Sequence, residues 1–183
     1  MHLYYDQEKG VFWSPEGLGA DDRAGVAMII YLLHQTDFRP TILFTTNEET
    51  DMKGAYMAAA TLLGVRPNFI IELDRKGRGE CVFYQCENKK FEQFINNFGF
   101  TTELGSYTDI SVLCPTWNCA GVNLSVGYRD EHSYCEYLVL DDWLYTFYAL
   151  VNILSGDIDK YKFDYIKKSD SKKRKRKKEP LGK

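Results

Sequence analysis

Short apolar runs alternate with stretches of helical periodicity along most of the chain, and this alternation limits the fold more than any other feature. "TILFTT" (41–46), "PNFIIELD" (67–74), "CVFYQC" (81–86) and "AGVNLSVGY" (120–128) have the length and the β-branched or aromatic content of strands. Around them, "ADDRAGVAMIIYLLHQ" (20–35), "MKGAYMAAATLLG" (52–64), "NKKFEQFINNFG" (88–99) and "DDWLYTFYALVNILSG" (141–156) read as helices. In the first helix Val26, Ile29, Ile30 and Leu33 recur at helical spacing, and in the third Phe91, Phe94, Ile95 and Phe98 share a side. Asp21 and Asp22 open the first helix, where the helix dipole favours acids, and Gly64 closes the second as a C-cap. The strands are apolar on both faces, so both faces of their sheet need cover. The expectation is a three-layer α/β/α sandwich around a mostly parallel mixed sheet.

In sheets of this kind ligands collect at the carboxyl ends of the strands. Glu48 and Glu49 follow the first apolar run, Asp74 ends the second, and His132 follows the last. Successive side chains on a strand point to opposite faces, so Glu48 and Glu49 cannot share one role while the strand continues. Aspartate, glutamate and histidine together are zinc ligands, and several carboxylates suit a pair of divalent ions. Such a site also needs a base to take a proton from water, which the second member of an acid pair can supply.

Four stretches carry a resemblance: "GLGADDRAG", "NEETDMKGA", "ELDRKG" and "NLSVGYRDEHSYCE". In that order they resemble the di-zinc exopeptidase superfamily of zinc aminopeptidases, related carboxypeptidases and deacylases. The family pattern is an H-x-D strand end, a D-[DN]-x-x-G helix start, an E-E-x4-G-[AS] element, a lone Asp or Glu, and a late His. Four of the five elements lie in order between Gly17 and Glu136. With Asp at the fourth element, the pattern is closer to the aminopeptidase branches than to the carboxypeptidase branch. The resemblance implies that Asp21, four residues before Gly25, bridges two zinc ions. It implies Glu48 as general base, Glu49 and His132 on one zinc, and Asp74 on the other. Asp22 falls at a variable helix-start position, Asp109 of "GSYTDIS" in a cleft-lining or supporting position, and Glu136 where it would orient the His132 region. The implied reaction is removal of a terminal residue or acyl group from a peptide or amide substrate.

The H-x-D element is absent. The upstream histidine is His2, followed by Leu3 and Tyr4, and as an extra ligand it would hang from a fraying terminus. The simpler expectation is that "YYDQEKGVFWSPEGLGADD" leads into the Asp21 element and that His34 is a surface residue. Asp21, Glu49 and His132 supply three ligands for one zinc, whereas the Asp74 zinc lacks one, so that ion is weakly held or absent. Lost strands would leave an apolar edge for a homo-oligomer or a missing N-terminal segment to cover. The alternatives are an active hydrolase and a truncated, inactive relative that works as a binding module.

Charge divides the chain. From Lys162 onward there are 11 Lys/Arg against 3 Asp/Glu, which leaves 12 against 23 in the preceding 161 residues. The reading is an acidic catalytic body over 1–160 and a basic, disordered tail over 161–183, through which alone nucleic acid would bind. No apolar run approaches the roughly 20 residues of a membrane helix, and the start lacks the pattern of a signal peptide. The default location is cytoplasmic, with five reduced cysteines whose loose C-x4-C spacings are poor zinc signals.

Overall fold

A computed structural model describes residues 2–168. The main sheet is built from β3 (Ile70–Arg75), β4 (Glu80–Val82), β5 (Thr101–Thr102) and β6 (Gly121–Ser125), in the order β3-β6-β4-β5. β3 and β6 are parallel, β4 and β5 are parallel, and β4 meets β6 antiparallel, so the sheet is mixed. Helices α1 (Ala20–Gln35) and α5 (Leu140–Ser155) cover one face, α2 (Lys53–Thr61) and α4 (Ile110–Trp117) the other, and α3 (Lys89–Asn96) abuts β5. This is the expected α/β/α layering.

Each layer has a local cause. Every residue of β6 is buried, as a strand apolar on both faces requires. In α3 the Asn88 side chain accepts from the Phe91 amide as an N-cap, and Phe91 and Ile95 bury fully in the core. The buried stripe of α1 is Ala24, Gly25, Met28 and Leu32, rotated from the one that spacing suggested, and Ile30 faces out. Close approach explains the rotation: a Cβ on Gly25 would lie 1.8 Å from the Leu73 carbonyl oxygen, so α1 presses its smallest residues onto β3.

Four features depart from expectation. "TILFTT" forms no strand; within the described residues it has no neighbour to pair with, and Leu43 and Phe44 are exposed. "YYDQEKGVFW" is a hairpin, β1 (Tyr4–Asp6) and β2 (Val11–Trp13), which joins β8 (Tyr137–Val139) and β7 (Tyr128–Arg129) in a small antiparallel sheet. "CVFYQC" leaves the sheet after Val82, where Tyr84 takes a left-handed backbone, and α4 forms despite Pro115. Finally, the first residues assigned to the tail are packed on the body. Phe163 exchanges backbone hydrogen bonds with Asn68 and Ala120 and packs on Phe69, Phe91 and Phe94, because apolar residues at 163 and 165 still find core contacts. The Lys/Arg-rich remainder, 169–183, lies outside the described residues.

Candidate metal centre

The fold gathers acids where the first turn of α1, the loop after residue 46, the end of β3 and the turn after β7 meet. His132, at a left-handed backbone position in that turn, places Nε2 3.0 Å from Asp21 Oδ2 and 3.0 Å from Glu49 Oε1. Asp21, Glu49 and His132 thus offer three ligand atoms within 4.8 Å of one another. They stand on the wall of an open cleft that Glu48 and Asp74 also line.

Asp21 is held from behind. The buried carboxylate of Glu136 accepts from the Ala20 amide at 2.9 Å and from the Asp21 amide at 3.0 Å. This satisfies two of the orphan donors at the start of α1, whose N-cap, Gly19, has no side chain to do so. Glu136 therefore fixes the backbone that presents Asp21.

The acids repel one another at close quarters. Desolvation, then the Glu49, Asp109 and Asp21 carboxylates, raise the Glu48 pKa above its ordinary value. Asp74 is pushed from 3.8 up to about 7, first by burial and then by Asp21 and Glu48. Its Oδ1 is buried with no hydrogen-bond partner, which leaves that lone pair open to an ion or a water. Desolvation lowers the His132 pKa, but Glu49 and Asp21 outweigh it and leave the imidazole more basic than usual. Crowded carboxylates, an orphaned oxygen and a histidine make a donor set suited to a divalent cation such as zinc.

The other predicted positions lie around this group. Asp22 is exposed, and its charge bears on Asp74 and Asp109. Asp109 stands at the N-cap position of α4 with no capping hydrogen bond from its side chain, which instead accepts from the Thr45 hydroxyl and leaves its Oδ1 buried without a partner. His2 is not brought to the cleft: it is 78% exposed and meets Glu16 at 3.3 Å, on the small sheet. Asp74 forms no second three-donor group among the described residues.

Sequence reasoning missed several cleft residues. Tyr84, Asn123 and Tyr128 line it, and a Lys76–Glu131 ion pair borders it. Burial and the nearby Asp74 and Asp21 charges keep the Tyr128 phenol protonated far beyond its usual range. Asn123 did leave a signal: a lone carboxamide within a mostly apolar, buried run must have an internal partner.

Neither a family model nor a curated protein sequence matches this chain. Solved structures do. A TET aminopeptidase from a marine-sediment Thaumarchaeota archaeon superposes with a TM-score of 0.66 at 18% identity, over 85% of this chain and 51% of that one. This chain has the aminopeptidase fold. An aminopeptidase from Desulfurococcus kamchatkensis gives 0.66 at 17% identity, over 84% and 51% of the two chains. The aminopeptidase PepT of Bacillus cereus gives 0.63 at 14%, over 83% and 75%. The chain spans about half the length of the two archaeal enzymes.

Proposed function

We propose that this chain is a metal-dependent exopeptidase-type hydrolase, aminopeptidase-like, which cleaves a terminal peptide or amide bond with Glu48 as general base. One observation carries the reading: Asp21, Glu49 and His132 bring three ligand atoms within 4.8 Å, beside a half-buried carboxyl, Glu48, that is not among them. Zinc bound there supplies a Lewis acid that polarises the scissile carbonyl and makes water acidic. Asp21, Glu49 and His132 would hold one ion, and Asp74 with Asp21 a second, less firmly. Glu48 takes a proton from the attacking water and delivers it to the leaving amine nitrogen. Its raised pKa suits both halves of that transfer. The catalytic body then extends to Lys168, and a second copy or a further N-terminal segment would cover the outer edge of β3.

A second reading, a non-catalytic binding protein, is favoured by the failure of Asp74 to join a three-donor group. Zinc content by mass spectrometry, together with hydrolysis of aminoacyl 4-nitroanilides, separates the two. The hydrolase reading expects bound zinc and turnover, with kcat in Glu48→Gln down about 10²–10⁴-fold at unchanged zinc content. Zinc without turnover favours the binding protein, and neither zinc nor turnover sinks the metallohydrolase.

A further inference from the structure

The β3–β6 ladder runs in register from Ile70 opposite Gly121 to Glu72 opposite Asn123, and resumes with Arg75 opposite Ser125. Three steps along β3 match two along β6, so Leu73 and Asp74 form a bulge. A bulge leaves ladder groups unpaired, and here a side chain takes them. Asn123 Oδ1 accepts from the Asp74 amide at 3.0 Å, and Asn123 Nδ2 donates to the Asp74 carbonyl at 3.0 Å. The same Nδ2 lies 3.3 Å from the Tyr84 hydroxyl, and Asn123 as a whole is 1% exposed.

The carboxamide acts here as a peptide group inserted sideways. Its donor and acceptor fix both backbone groups of one residue, and that residue carries the cleft carboxylate with the unpartnered oxygen. Aspartate has the shape but lacks the donor, and alanine lacks both functions.

We infer that Asn123 is a positioning residue: its carboxamide clamps the β3 bulge so that the Asp74 carboxylate is held in the cleft, and it thereby sets divalent-ion affinity on the Asp74 side without touching the ion. The inference rests on the metal-dependent reading of the cleft. An outer residue that orients a ligand typically changes metal affinity by about 10–100-fold when removed. Because Asn123 acts through Asp74, its loss and the loss of the Asp74 carboxylate are not independent.

The test is zinc affinity of the full chain by chelator competition, with thermal unfolding alongside, for wild type, Asn123→Ala, Asp74→Asn and the double variant. Asn123→Ala should weaken the second, weaker zinc-binding step about 10–100-fold, and in the double variant that step should be no weaker than in Asp74→Asn alone. Additive losses, or unchanged affinity in Asn123→Ala, overturn the inference while leaving the metal reading intact. Wild type that takes up no zinc overturns the metal reading itself. Should Asn123→Ala not fold, Asn123→Asp, with the same shape and no donor, carries the same comparison.

Discussion

The two edges of β3 are finished in opposite ways. On its inner edge β6 lies alongside, fully buried, and where the ladder slips Asn123 fills the gap with a side chain. On its outer edge no described strand pairs with it. The run 41–46, with all the marks of a strand, has no backbone hydrogen bond from Thr41 to Thr45 to any described residue, and Leu43 and Phe44 are 40% and 54% exposed. The contrast shows what strand propensity is: a capacity to pair that becomes structure only where a neighbour supplies the ladder. It also separates the site into firm and loose parts. Asp74 stands on the completed side, whereas Glu48 and Glu49 are carried at the end of the unpaired run, tied in by the Gly54 amide on the Thr46 carbonyl and by the Thr45–Asp109 hydrogen bond.

The largest effect that tests this contrast is on stability. Leu124, on β6 and fully buried, should lose about 2–5 kcal/mol on substitution by alanine, read by chemical denaturation. A loss below about 1 kcal/mol would mean that the inner edge is not the rigid one.

A second test sits at the end of β3. The Asp74 pKa rises from 3.8 to about 7 in the folded, metal-free protein, so the folded state holds a proton there that the unfolded chain releases. The sign follows from linkage: this group's contribution to stability is greatest below pH 3.8 and is lost as pH rises to about 7. In the presence of chelator, Asp74→Asn should abolish that part of the decline in Tm with rising pH. A profile identical to wild type would show that Asp74 is not the strained carboxylate.

The smallest effect belongs to the outer edge. Phe44→Ser should change stability by less than about 0.5 kcal/mol, as exposed positions do, and the amides of Thr41–Thr45 should exchange with solvent orders of magnitude faster than those of β6. Slow exchange at Thr41–Thr45 in the isolated chain would reveal a partner for that edge.

The same contrast explains how much was legible in the sequence. The α/β/α layering was readable because it follows from periodicity and two-faced strands. Asp21 and Asp74 were readable because they open α1 and end β3, whereas Glu48 and Glu49 were read at the end of a strand that does not form, and His132 lies in a turn. What was not readable depended on tertiary pairing. Nothing local in "TILFTT" says that its neighbour is missing, and nothing in "SVLCPTW" says that packing against α2 will carry a helix through Pro115. The β1–β2 hairpin did have its signal in alternating aromatic strands around Gly10, masked by reading the segment as a lead-in to Asp21. The bulge at Leu73 and Asp74 arises between two strands and belongs to neither sequence alone.

Glu136 gives the centre a place in time. It accepts the amides of Ala20 and Asp21, so the first acid of the cleft is anchored by a residue 115 positions later in the chain. At a synthesis rate of about 5–20 residues per second, that anchor appears on the order of ten seconds after Asp21 does. During that interval the emerging chain carries Asp21, then Glu48, Glu49 and Asp74, with His132 and Glu136 still to come. A cation held by Asp21, Glu49 and His132 would therefore have to wait until residue 136 has been made, and a chain cut before that point would have the acids without the histidine or the Glu136 anchor.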